Sequence, residues 1–147
     1  MVQIIEELGD GVLFREGRDY LWLGPPKLYA DDSGFAQHLS VSARSFHGAL
    51  EVSTYSRPSD MAGFVRELTV VYDTLEGTAC LPNTYDGLKL GVRGDGLGHI
   101  FVEVQLGSGS PGEPKLAFEL QLEQTQLPKI IRDFDRLFVK ADTARPR

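Results

Sequence analysis

The apolar residues between positions 88 and 122 keep one parity: Leu88, Leu90 and Val92, then Ile100, Val102, Val104 and Leu106, then Leu116, Phe118, Leu120 and Leu122. Odd positions carry Lys89, Arg93, His99, Glu103, Gln105, Lys115, Glu119 and Gln121. A period of two predicts three antiparallel strands with one covered face and one wet face. Upstream the period changes. In SDMAGFVRELTVVYDTLEG (59–77), Phe64, Leu68, Val71, Tyr72 and Leu75 fall on one helical stripe, with Ser59 or Asp60 placed to cap its start and Gly77 its end. TQLPKIIRDFDRLFVKA (125–141) predicts a second helix, capped by Thr125 and with Pro128 in its first turn. Leu127, Ile131, Phe134 and Phe138 form its buried stripe, flanked by Ile130 and Leu137.

The first sixty residues predict shorter strands broken by turn chemistry. GVLFRE (11–16) and DYLWLG (19–24) flank a turn at Gly17-Arg18, and Pro25-Pro26 ends regular pairing. LYADDSGFA (28–36) is expected to be a polar loop, and GSGSPGEP (107–114) a flexible one. AQHLSVSARS (36–45) and GALEVSTYS (48–56) alternate apolar and polar residues about a tight connection at Phe46-His47-Gly48, the pattern of a hairpin. This order contains no βαβ alternation, which argues against a parallel sheet. The expected fold class is α+β, a mostly antiparallel twisted sheet with two amphipathic helices packed on one face. Residues 1–140 form a single domain, and 141–147 a flexible tail.

Parity also fixes a register. Opposed residues of an antiparallel hairpin share a face, so pairing even with even around RGDGLGHI demands a loop of odd length. Gly96-Leu97-Gly98 satisfies this, with Gly98 in the left-handed region. Asp95 then lies opposite His99, Arg93 opposite Phe101 and Val92 opposite Val102, so that Arg93 can sit over the Phe101 ring.

Composition narrows the function. The chain has 147 residues, one domain's length, with 41% hydrophobic and 24% charged residues, as in ordinary folded proteins. Its net charge is −6 and its pI near 5.0. That balance argues against nucleic acid and anionic membrane surfaces, and for a basic partner if charge steers association. No apolar window is long enough for a membrane span, and the N-terminus has no basic leader, which points to the cytoplasm. A lone cysteine, Cys80, forms no internal disulfide and reads as a small buried filler.

Several motifs invite chemistry and fail on context. The glycine-rich turn at 94–98 leads into a strand, whereas a phosphate cradle leads into a helix. The Arg-Gly-Asp at 93–95 has no export signal to give it meaning. His38, His47 and His99 lack metal-ligand spacing, and the serines of LSVSARS lack a nucleophile elbow. Glu103 and Glu119 can lie side by side, but on a wet sheet a solvated pair is the plainer reading. No catalytic, metal or cofactor-binding residue is assigned.

Three stretches carry a family resemblance: FVRELTVVYDTLEGTACL (64–81), DGLKLGVRGDGLGHIFVEVQL (86–106) and KLAFELQLEQTQLPKIIRDFDRL (115–137). The helix spacing of Phe64, Leu68 and Leu75, the Gly98-His99 lead into a strand, and Glu123-Gln124-Thr125-Gln126-Leu127 before the last helix resemble small bacterial domains grouped with WapI-like immunity proteins. The resemblance covers roughly residues 61–140 and implies a non-enzymatic domain that neutralises a cognate toxin of a contact-dependent competition system. It carries no partner-contacting residue onto this chain.

Two surfaces follow. A basic protein toxin would meet the carboxylates Asp31, Asp32, Glu51, Asp95, Glu103 and Glu119, each of which is individually explained by solvation. Alternatively, a small-ligand or enzymatic site would use a concave sheet face around Arg44, Tyr55, Arg93, His99 and Phe101. The oligomeric state stays open, with an edge-strand dimer as one form.

Overall fold

A computed structural model describes residues 8–82, 84–107, 111–112 and 114–144. Strands β1 (Val12–Glu16), β2 (Asp19–Leu23), β3 (Lys27–Leu28), β4 (Phe35–Ala43) and β5 (Phe46–Thr54) precede helix α1 (Ala62–Thr74). Strands β6 (Glu76–Cys80), β7 (Tyr85–Asp86), β8 (Leu88–Asp95), β9 (His99–Leu106) and β10 (Leu116–Glu123) follow, then helix α2 (Leu127–Phe134). The helix widens into a π-helical stretch at Asp135–Lys140 and finishes as α3 (Ala141–Thr143).

The strands make two antiparallel sheets where one was expected. The first runs β1-β2-β4-β5-β7 with β3 also on β4, and the second runs β10-β9-β8-β6. Their neighbouring edges, β1 and β10, join through side chains: the Gln121 amide donates to Glu16 Oε1 at 2.7 Å, and Gln126 Nε2 donates to the Arg15 carbonyl at 2.9 Å. A carboxylate and an amide side chain thus stand where a backbone ladder would continue.

In β8 and β9 the expected even positions are all buried, as are Leu120 and Leu122 of β10. A train of rings closes the core behind both sheets. The Phe134 ring centroid lies 5.2 Å from that of Phe64 of α1 in an edge-on contact, and 5.1 Å from Phe138 and 6.2 Å from Phe14 of β1 in tilted ones, and Phe35 links Phe138 to Tyr85. Such contacts add roughly 0.5–1.5 kcal/mol each beyond the area they bury.

Several local expectations are corrected. The hairpin turn between β4 and β5 is Arg44-Ser45, and Phe46, His47 and Gly48 belong to β5. Arg44 takes φ 56, a conformation that sequence would assign to glycine. The polar loop shrinks to 29–34, because Leu28 and Phe35 pair in strands. Asp60 acts in reverse as a cap: its carboxylate accepts the Arg57 amide at 3.0 Å, while the Ser59 amide donates to Asp142. Leu75, with φ 61, ends α1 by donating its amide to Val71, and Gly77 is already in β6. Tyr72 is 40% exposed and leaves the stripe. In the last helix Thr125 caps nothing, since the short 3-10 turn Gln124–Gln126 precedes it, and Ile130 rather than Ile131 is buried.

Residues 141–143 continue the last helix as α3. Buried Asp142 accepts from Arg57 Nη2 at 2.6 Å and Nε at 3.2 Å and from the Ser59 amide at 3.0 Å. Residues 145–147, and 108–110 and 113 of the expected loop, lie outside the described residues.

Candidate functional site

The second sheet presents four cross-strand rows to solvent. Register alone builds them: Glu76–Asp95 and His99–Glu123; Thr78–Arg93–Phe101–Gln121; Cys80–Gly91–Glu103–Glu119; and Lys89–Gln105–Ala117. Within these rows five carboxylates face two cations, Lys89 and Arg93, an excess equal to half of the chain's net charge of −6.

At its centre Arg93 lies 4.6 Å above the Phe101 ring, in the register that parity predicted. Its guanidinium also reaches Glu103 at 4.0 Å and Glu119 at 3.9 Å. Those carboxylates are directly opposed across β9 and β10, an arrangement that like charge disfavours. Arg93 relieves it weakly, because both acids are open to water, at 63% and 48% exposure. The pair is therefore a solvated one rather than a desolvated one.

The end of the face is more rigid. Asp95 accepts from the amides of Leu97 at 2.7 Å and His99 at 3.2 Å, and its second oxygen lies 2.8 Å from His99 Nδ1. Desolvation raises the Asp95 carboxyl, but the Leu97 amide and the His99 ring and amide outweigh it, holding the group below the usual carboxylate range. Gly96 and Gly98, at φ 80 and 95, make the three-residue loop possible, and Leu97 projects from its tip.

The profile of the Immunity protein WapI-like family matches residues 17–141, from the β1–β2 turn to the last helix. The chain belongs to the WapI-like immunity protein family. It matches no curated protein and no solved structure.

In this WapI-like chain six of the eleven candidate residues converge on one surface: Asp95, Glu103, Glu119, Arg93, His99 and Phe101. The others are scattered. Glu51 lies on the first sheet, 3.2 Å from His38 Nε2. Asp31 and Asp32 lie in the loop after β3, where Asp31 Oδ1 accepts the Ser33 amide and Asp32, at φ 63, pairs with Arg57 at 3.0 Å. Hydrogen bonds from Ser33 hold Asp31 below the usual carboxylate range. Arg44 and Tyr55 flank opposite ends of β5, about 30 Å apart at strand rise, so the single concave face expected around them does not form.

Sequence reasoning missed β6. Its inward residue is Ala79, which puts Glu76, Thr78 and Cys80 on the open face, and Cys80 is exposed rather than a buried filler. The signal in EGTAC was a single alanine between polar neighbours, too little to show a strand. The outer edge of β6 is blunted, because Glu67 Oε1 accepts the Cys80 amide and Thr74 Oγ1 the Glu76 amide. A groove of about 480 Å³ borders the face beside Leu81, Pro82 and Lys89. Among the described residues no group of three or more His, Cys, Asp or Glu is placed to hold a metal. No described helix is long and apolar enough to cross a membrane.

Proposed function

We propose that this WapI-like protein is a non-enzymatic cytoplasmic binder that neutralises a cognate protein toxin, and that the open face of β8–β10 receives a basic surface of that toxin. One observation carries the reading: Glu103 and Glu119 are directly opposed and open to water on the sheet face, with Arg93 and Phe101 in the neighbouring row. A directly opposed acid pair costs the free protein stability. A toxin lysine or arginine entering between the carboxylates removes that repulsion, so the face is better satisfied in the complex than alone. Complementary charge also speeds encounter, and the excess of acid on this face supplies the steering field.

The test is binding of the cognate toxin domain, sought among the neighbouring genes, measured in low and high salt. The expected outcome is an association rate that falls steeply with ionic strength and a Glu103→Lys/Glu119→Lys variant that neither binds nor protects cells. Full protection by that variant, with unchanged affinity, would sink the reading.

A further inference from the structure

A second surface lies on the other sheet, away from every acid of the β8–β10 face. Loop 29–34 folds tightly: the Tyr29 amide donates to the Gly34 carbonyl and the Asp32 amide to the Tyr29 carbonyl. Gly34 then lies against the chain leaving β5, where an added Cβ would stand 2.0 Å from the Thr54 carbonyl and 2.8 Å from Tyr55 Cα. This contact sets two aromatic residues beside one groove. Tyr29 is 42% exposed and Tyr55 73%. The groove, about 510 Å³, is lined by Tyr29, Ser33, Ser53, Tyr55, Tyr85 and Asp86 among others. Its floor is fixed, because Tyr85 is buried and its hydroxyl donates to Gln37 Oε1 at 2.8 Å.

The chemistry of the lining selects its occupant. It offers ring faces, hydroxyl oxygens and the Asp86 carboxylate, and it contains no cation. Arg57, two residues beyond Tyr55, is bracketed by Asp32 and Asp142. Lys27 shares the Asp86 row only through Ala36 and Ser53, three strand spacings or roughly 14 Å away. Among the described residues Asp86, the one carboxylate of the lining, carries no ion pair. A guanidinium uses such a site fully: its flat face stacks on a tyrosine while its N–H groups reach hydroxyl and carboxylate acceptors around its edge. Tyrosine and arginine are also the residues that dominate binding energy at protein interfaces.

The geometry points to a docking site for one exposed arginine side chain of a protein partner, clasped by Tyr29 and Tyr55 and neutralised by Asp86. The inference rests on the preceding reading only for the identity of that partner, which would touch two separate patches.

The direct test uses a capped Gly-Gly-Arg-Gly-Gly peptide as the probe and the full chain labelled for NMR. Saturable shifts are expected at Tyr29, Ser53, Tyr55 and Asp86, with weak affinity on the order of 1 mM, and none with the corresponding glutamine peptide. Tyr55→Ala, at an exposed ring, and Asp86→Asn should each weaken binding several-fold while the rest of the spectrum stays unchanged. Absence of saturable shifts at the groove, or shifts that survive both substitutions, would overturn the site. The toxin then separates the two ideas. If Glu103→Lys weakens toxin binding and Tyr55→Ala and Asp86→Asn do not, the groove is not a toxin contact and the sheet-face reading stands. If the peptide binds the groove and the toxin binds nothing, the groove stands and the toxin reading falls.

Discussion

Strands β9 and β4 are both central and antiparallel, of eight and nine residues, yet they meet water differently. β9 buries Ile100, Val102, Val104 and Leu106 and leaves its odd positions half-buried or exposed. β4 buries both faces, all but His38 and Ala43. On its polar side Ser40 bonds the Tyr20 hydroxyl at 3.3 Å, and on the core side Gln37 Nε2 donates to the Gly24 carbonyl at 2.8 Å. A strand closed on both sides is committed to holding the molecule together. A strand open on one side is free to change its outward residues, which is what a protein matched to a particular partner requires. Substitutions behind the sheets should therefore cost stability, and substitutions on the β8–β10 face should cost binding.

The largest expected effect comes from Phe134→Ala, because this ring joins Phe14 behind the first sheet to Phe64 of the helix behind the second. A loss of about 3–5 kcal/mol is expected in denaturant unfolding. A single transition in which both sheets melt together is expected as well. Separate melting of the two sheets would break the picture of one shared core.

Asp142→Ala comes next. It removes the acceptor of Arg57 and of the Ser59 amide, at a cost of about 2 kcal/mol in the same assay. Desolvation raises the Asp142 carboxyl, but the bonds from Arg57 and Ser59 outweigh it and hold the pKa below the ordinary 3.8. A depressed carboxyl stabilises the fold fully above 3.8 and loses that contribution as pH falls below it. Wild type should consequently lose stability below pH 4 faster than Asp142→Ala, and parallel acid-unfolding curves would contradict the pairing.

A smaller cost, about 1 kcal/mol, is expected for Gly98→Ala, which forces a side chain to φ 95 in the β8–β9 loop. Arg93→Ala should be the mildest, no more than about 0.5–1 kcal/mol, since the guanidinium sits over Phe101 in water. It sharpens the comparison by what it leaves alone: thermal unfolding should barely move while the Phe101 ring resonances shift.

The same difference in coverage explains which parts of the fold are legible in the sequence. In β8–β10 the alternation has one wet face, so parity yielded strand extents, the Val92–Val102 register, the Gly96-Leu97-Gly98 loop and the Arg93–Phe101 contact. In β4 serines are buried opposite apolar residues, and alternation no longer reports which face is wet. Turn positions misled for a different reason. Arg44 and Leu75 occupy left-handed conformations that propensity reserves for glycine, so the β4–β5 turn was expected two residues late and the end of α1 at Gly77. The split into two sheets lies between β1 and β10, where Glu16 and Gln126 bridge the gap through contacts more than a hundred residues apart that no local pattern encodes. Of the candidate site, the centre was legible because it lies on one parity. Its fourth strand, β6, and the Tyr29–Tyr55 groove depend on tertiary placement.

The most direct measurement is toxin affinity by calorimetry for Glu103→Lys/Glu119→Lys beside Glu51→Lys, a charge reversal of the same kind on the first sheet. Weakening of at least about a hundredfold, roughly 2.7 kcal/mol, is expected for the pair, with little change for Glu51→Lys. Equal weakening by both variants, or none by the pair, would contradict the proposal that the open β8–β10 face receives the toxin.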